Sequence, residues 1–292
     1  MRCDVLFLKI LKFYPKRFCS RIVGWVASCT LPTFLRVYLL GKFVKAYKIN
    51  MEEAEHSLNK YTSFQELFSR KLRVDARCQD APVPGFINSP VDGEVISHGR
   101  IVAGLAIQAK GLTYRIEELL KHEPNTERFE DGYYVTLYLS PKDYHHVHVP
   151  LVGAVKSVCR VEGELWPVNK STTMQMFRLY ERNRRVVWLA DGVGLDDGLE
   201  VAVVLVGATH VGKIVIDPRW LSGKELPLDG SVSIDDQLCQ AGENLGAFQF
   251  GSTVVLLIGG YRAARWRLDV SNGPILVGQR LGCFYSVDSE SC

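Results

Sequence analysis

Three short stretches of this 292-residue chain concentrate side chains able to do chemistry. The first is Ser89-Pro90-Val91-Asp92-Gly93-Glu94-Val95. An Asp before a Gly is, on its own, a turn signal. The second is Leu139-Ser140-Pro141-Lys142-Asp143-Tyr144-His145-His146-Val147-His148-Val149-Pro150, which holds three of the seven histidines. In a strand, His146 and His148 share one face and His145 takes the other. Two imidazoles on one face suit a metal, but zinc asks for three or four ligands and no Cys or carboxylate stands at a familiar interval. The third is Phe250-Gly251-Ser252-Thr253, directly before the apolar run Val254 to Ile258. A serine hydroxyl is a weak nucleophile until a base takes its proton, and that base needs an orienting group. Asp92, a histidine of the cluster and Ser252 supply the three types. The flanks of Ser252 lack the Gly-x-Ser-x-Gly elbow, with Phe at 250 and Val at 254. Residue types alone do not select this triad from the other Asp/His/Ser combinations in the chain.

The elements that must position these groups differ along the chain. Residues 1–48 interleave large apolar residues with Lys and Arg at helical intervals, and Gly24 and Pro32 are expected to divide them into two or three short helices. Such a segment either lies in a membrane interface or caps its own domain. Ser63-Phe64-Gln65-Glu66 is a capping box that predicts a short helix through Phe68 and Arg70. Pro82 and Pro84 mark a boundary, after which short β runs alternate with Gly and Asp turns. Strands are predicted at Gly93 to Ile96, Tyr133 to Leu139, His146 to Val155, Val186 to Leu189, Leu199 to Val206, Val211 to Ile216 and Thr253 to Ile258, with a helix at Tyr114 to His122. The expected fold is α+β. An N-terminal helical region, 1–75, precedes a β-rich catalytic domain, 76–292, that is mainly an antiparallel sandwich or barrel-like sheet.

Charge narrows the class. The chain carries +3 overall, but residues 1–50 hold ten basic residues and one acid. That leaves −6 for the other 242 residues, so an anionic surface is the expected partner of the N-terminus. Lys9, Lys12, Lys16, Arg17 and Arg21 interrupt the apolar core that a secretion signal needs. The longest charge-free run, Ile22 to Leu35, is 14 residues with Pro32 inside it, too short for a hydrocarbon core of about 30 Å. Eight cysteines without C-x-x-C spacing read as free thiols in a reducing compartment. No nucleotide-binding loop and no nucleic-acid signature is present.

Taken together, the stretches resemble the phosphatidylserine decarboxylase family. Ser89 to Gly93 matches its Ser-Pro-x-Asp-Gly segment, and Asp143 to Pro150 its Asp-Tyr-His-x-x-His-x-Pro segment. Phe250-Gly251-Ser252-Thr253 matches its Leu-Gly-Ser-Thr tetrad, with Phe for Leu. Gly163 to Asn169, Val206 to Gly212 and the Phe68-x-Arg70-x-Leu72 pattern are also family-like, although Trp166-Pro167 replaces a Phe-Ser pair. The resemblance implies an inactive proenzyme that cuts itself between Gly251 and Ser252. The pieces 1–251 and 252–292 would stay associated as a heterodimer, with Ser252 converted to a covalent pyruvoyl group, the cofactor. It further implies that His148 is the base that activates Ser252, oriented by Asp92. The substrate would be phosphatidylserine in an anionic membrane, decarboxylated to phosphatidylethanolamine and CO2 through a Schiff base. His145 is the candidate proton donor, and His146, which occupies the family's variable position, is not counted among the site residues. The expected location is the cytoplasmic face of the cell membrane, as a peripheral protein. Two other classes stay open on residue types: a metal-dependent hydrolase using His146, His148 and His210, and a non-enzymatic lipoyl-carrier-like β module. Oligomeric state is left open.

Overall fold

The computed structural model describes residues 16–30, 32–77, 86–192, 198–209, 213–249, 252–260 and 266–284. Three helices come first: α1 (Lys16–Ser28), α2 (Thr33–Tyr47) and α3 (Phe64–Phe68). Gly24 does not divide α1 as expected, whereas Pro32 does stand between α1 and α2. A mid-helix glycine costs about 1 kcal/mol but keeps its N–H, while proline removes the donor. The capping box forms with a one-residue offset. Ser63 Oγ accepts from the Glu66 N–H at 3.2 Å, and Glu66 Oε2 reaches back to the Thr62 N–H at 2.6 Å. Helix α3 ends at Phe68, short of the predicted Arg70. A small apolar cluster of Leu40, Tyr61 and Leu67, flanked by Phe43 and Phe64, packs α2 against α3.

The β region begins with β1 (Phe86–Asn88), β2 (Gly93–Arg100), β3 (Leu105–Ala109) and β4 (Leu112–Arg115). Next come β5 (Tyr133–Leu139), β6 (His146–His148), β7 (Gly153–Val161), β8 (Arg185–Gly192) and β9 (Glu200–Val206). The last strands are β10 (Ile214–Ile216), β11 (Gly230–Cys239), β12 (Asn244–Phe248), β13 (Ser252–Gly259), β14 (Trp266–Leu268), β15 (Gly273–Ile275) and β16 (Arg280–Phe284). Eight of them form one antiparallel sheet in the order β11-β7-β8-β9-β13-β5-β2-β15, and β10-β12-β6 and β1-β16-β14 form smaller ones. The large sheet has two ends, so it is open and sandwich-like rather than a closed barrel. Every residue of β9 and β13 is buried, because the centre of the sheet is covered on both faces. This is why their sequences are continuous apolar runs instead of alternating ones.

Two boundaries differ from expectation. The predicted strand from His146 to Val155 is two strands on two sheets, β6 and β7, with Pro150 between them. Proline has no ladder donor, and the Pro150 carbonyl instead accepts from the Asn88 N–H at 2.9 Å. The helix expected over Tyr114 to His122 is one turn, Ile116–Leu120, because Tyr114 belongs to β4 and sits buried, edge-on to Tyr180 at 5.5 Å. The free-thiol reading holds for Cys19, Cys29, Cys159 and Cys239 but not for Cys283, which is disulfide-bonded.

Candidate active site

Topology brings the three reactive stretches to one place. Strand β5 ends at Leu139, whose register partner on β13 is Ser252, the first residue of that strand. The chain leaving β5 enters β6, where His146 pairs with Ala247 of β12. Strand β12 in turn leads back to β13. The first connection, 140–145, therefore crosses the gap from the large sheet to the sheet that holds β12. Asp143 closes the first connection, since its Oδ2 accepts from both the N–H and the hydroxyl of Ser140 at 2.7 Å. Across the gap the Phe248 N–H donates to the His145 carbonyl at 3.0 Å. Phe250, Gly251 and His210 lie outside the described residues.

The Asp92 turn is tied to the same place through backbone. The His148 N–H donates to the Pro90 carbonyl at 2.8 Å. Ser89 Oγ folds onto the Val91 carbonyl at 2.7 Å. Gly93 is required by close approach, because a Cβ there would lie 2.4 Å from the Tyr138 carbonyl oxygen. The buried Asp92 carboxylate accepts the Val277 N–H at 2.8 Å and the fork of Arg77, with Nε 3.0 Å from Oδ1 and Nη2 on Oδ2. Arg77 also donates to Glu53 at 2.9 Å.

The two candidate histidines are held in defined tautomers. His148 donates Nδ1–H to the Gly242 carbonyl at 2.8 Å, so its Nε2 is the acceptor and takes the Tyr144 hydroxyl at 3.1 Å. Burial is the main influence lowering its pKa. The Gly242 bond and, more weakly, the charge of Asp92 oppose that shift. Among the described residues no hydrogen bond joins the Asp92 carboxylate to the His148 ring, and the Gly242 carbonyl takes the Nδ1 position. His145 is fully buried and donates Nδ1–H to the Asp143 carbonyl at 2.8 Å. Its Nε2 has no hydrogen-bond partner among the described residues, and burial pushes its pKa down to about 3. His146 is held at both ring nitrogens, by the Ser69 carbonyl and Asn244 Oδ1, each at 3.0 Å.

Ser252 Oγ is fully buried and has no hydrogen-bond partner among the described residues, as is also true of its neighbour Thr253 Oγ1. A buried unpaired hydroxyl costs about 1–3 kcal/mol. A cleft of about 500 Å³ opens against Tyr138, the register partner of Thr253, and is lined also by Glu94, Lys110, Lys170 and Met174. Among the described residues no group of three or more His, Cys, Asp or Glu side chains is placed to hold a metal ion. Sequence reasoning missed Arg77, Gly242 and Tyr144. Tyr144 sits inside the histidine motif, so its proximity was legible, but Arg77 and Gly242 are brought in only by the fold.

Comparison with known proteins gives one consistent result. The family model described as phosphatidylserine decarboxylase matches residues 64–283. A phosphatidylserine decarboxylase proenzyme of Anaeromyxobacter sp. (strain K) is 38% identical over 288 residues, spanning 96% of this chain and 98% of the relative. The proenzymes so named from Azotobacter vinelandii and Myxococcus xanthus are 36% and 34% identical, each over 96% of this chain and 98% of their own length.

Proposed function

This chain belongs to the phosphatidylserine decarboxylase family of enzymes, and from that premise we propose that it matures by cutting itself between Gly251 and Ser252. The observation that carries the reading is the buried Ser252 hydroxyl at the head of β13, without a hydrogen-bond partner among the described residues, on a strand whose register partner Leu139 leads directly into the connection that carries two histidines with unprotonated Nε2 atoms.

Ser252 Oγ attacks the Gly251 carbonyl while His148 Nε2 takes its proton. The proton passes to the Ser252 nitrogen as the amide C–N bond breaks, leaving an ester. Loss of the Ser252 Cα proton with departure of the Gly251 carboxylate then leaves dehydroalanine. Water converts that residue to a pyruvoyl group and ammonia. To act this way His148 must exchange the Tyr144 hydroxyl for that of Ser252. Asp92 contributes by fixing the turn that holds His148 through Pro90 and by its charge, not by a direct bond to the ring. The orphaned Ser252 side chain fits the covalent cofactor: the pyruvoyl carbonyl would condense with the substrate amine and accept the electrons released with CO2. His145 is the residue proposed to handle the proton in that second reaction. Its Nε2, neutral at rest, would first take the proton that the substrate ammonium gives up and later deliver it to the decarboxylated carbon.

The lysines of the cleft beside Tyr138 suit an anionic phosphodiester headgroup. On the outside, Phe18, Ile22 and Trp25 form an exposed stripe on α1, and Phe34 and Tyr38 an exposed pair on α2. No described helix is long and apolar enough to cross a membrane. We assign these helices to peripheral docking on an anionic bilayer on the cytoplasmic face, with Arg21, Lys42, Lys45 and Lys48 exposed nearby.

Intact-mass analysis of purified protein tests the central claim. Two pieces, 1–251 and 252–292, are expected, the smaller one blocked at its N-terminus and reactive towards hydroxylamine. An active wild-type chain that runs at 32.8 kDa overturns it.

A further inference from the structure

The segment that ends α3 touches the histidine connection residue by residue. The Phe68 ring lies against the His145 ring, with centroids 3.9 Å apart. The Ser69 carbonyl accepts from His146 Nε2 at 3.0 Å. Arg70 Nη2 donates to the Lys142 carbonyl at 2.8 Å and to the Asp143 carbonyl at 3.4 Å. That Asp143 oxygen is the same atom that receives Nδ1–H of His145 at 2.8 Å. Arg70 is 4% exposed, and its Nε and Nη1 make no hydrogen bond among the described residues. A buried guanidinium that leaves donors unpaired is an expensive way to hold two carbonyls, so its place calls for more than packing.

We propose that Phe68 and Arg70 are the positioning residues of His145: Phe68 fixes the plane of its ring, and Arg70 fixes the carbonyl that sets its tautomer, so that Nε2 is the lone acceptor facing the reaction.

The proposal rests on the reading of His145 as the proton-handling group of the decarboxylation. The charge of Arg70 works in the same direction. The cation opposes protonation of the ring, as do burial and the neighbouring His146, while the bond to the Asp143 carbonyl opposes them. The other contact to the residue, from the Phe248 N–H, is neutral. Helix α3 also packs against α1, the helix with the exposed apolar stripe, so the element that holds the histidine is continuous with the surface assigned to the lipid.

The test uses the full-length chain with Arg70→Met, Arg70→Lys, Phe68→Leu and His145→Ala, each assayed for self-cleavage and then for turnover of phosphatidylserine in mixed micelles. Self-cleavage depends on Ser252 and His148, so a variant that cuts itself is folded at the site. Arg70→Met and Phe68→Leu are expected to cut themselves yet lose tenfold or more in kcat, with KM within about twofold. The acid limb of kcat should move to higher pH in Arg70→Met and return in Arg70→Lys, which keeps the cation. A purely structural role would lower the yield of folded protein and leave that limb in place. If His145→Ala turns over normally, the reading of His145 fails. If His145→Ala is inactive while Arg70→Met and Phe68→Leu keep wild-type kcat and pH profile, that reading stands and the positioning role is overturned. Loss of self-cleavage in both Arg70→Met and Phe68→Leu also overturns it, because the segment then supports the whole site rather than His145.

Discussion

His145 and His148 stand three positions apart, and burial depresses the pKa of both. A base with a lowered pKa stays unprotonated at neutral pH and is lost only as pH falls through its folded-state value. Self-cleavage, followed from refolded proenzyme, should therefore have its acid midpoint below the ordinary histidine value of 6.5; a midpoint at or above 6.5 would remove His148 from the base's role. The same shifts act on stability. Between the ordinary histidine value of 6.5 and about 3, the unfolded chain binds a proton at position 145 that the folded chain does not. Unfolding free energy should then fall with decreasing pH by up to about 1.4 kcal/mol per unit from this residue. Denaturation of Ser252→Ala with and without His145→Gln checks this, the double variant having the shallower slope. Tyr144→Phe frees His148 Nε2 and should cut itself at least as fast as the wild type. Loss of cleavage would mean that the serine proton travels through the phenol. The Arg77–Asp92 pair is almost fully buried, with side chains 12% and 5% exposed. Removing Arg77 alone leaves a buried carboxylate and should cost about 3–5 kcal/mol. Thermal melts of Arg77→Met should show this loss, and melts of Arg77→Met/Asp92→Asn should recover part of it.

At the scale of elements, the site depends on two strand pairs agreeing in register. Leu139 opposite Ser252 and His146 opposite Ala247 fix the two ends of the 140–145 connection. A one-residue slip in the first pair would turn Ser252 to the other face of its sheet, and a slip in the second would do the same to His146. Gly93 guards the neighbouring pair, in which Glu94 faces Tyr138. Gly93→Ala would press a Cβ on the Tyr138 carbonyl and should lower both the melting temperature and the cleavage rate, whereas Gly41→Ala, whose Cβ would meet only the Leu58 side chain at 3.7 Å, should affect cleavage little. Much of this was legible. The apolar runs 133–139 and 253–258 gave strands, and Ser63 gave the start of α3, because period and capping are local properties. The split of 146–155 and the single-turn helix at 116–120 were not. They follow from which sheet accepts each strand and from the packing of Tyr114 on Tyr180, both long-range facts.

Across the whole molecule, a basic N-terminus with exposed aromatic residues precedes a β region that holds the reactive groups. Each basic residue near an anionic leaflet contributes roughly 1 kcal/mol. Replacing Phe18, Ile22 and Trp25 together by Ser should therefore reduce co-flotation with phosphatidylserine vesicles and leave self-cleavage in solution intact. Binding that is unchanged by these replacements and by high salt would assign the helices to packing instead. The sequence by itself determined the family, the mainly antiparallel α+β class, the charge asymmetry and the identities of Asp92, His145, His148 and Ser252 as candidates, since residue type, spacing and periodicity are written along the chain. Only the tertiary structure decided what each of those groups touches. Arg77 and Val277 hold Asp92, Gly242 and Tyr144 hold His148, and Phe68 and the Asp143 carbonyl hold His145, while Ser252 has no hydrogen-bond partner among the described residues. Arg77 and Asp92 lie 15 residues apart in sequence, and Gly242 and His148 lie 94 apart. No local preference fixes such contacts: they exist because sheet pairing and burial bring distant backbone together, and in that low-dielectric interior a hydrogen bond to one carbonyl is enough to choose which nitrogen of a histidine reacts.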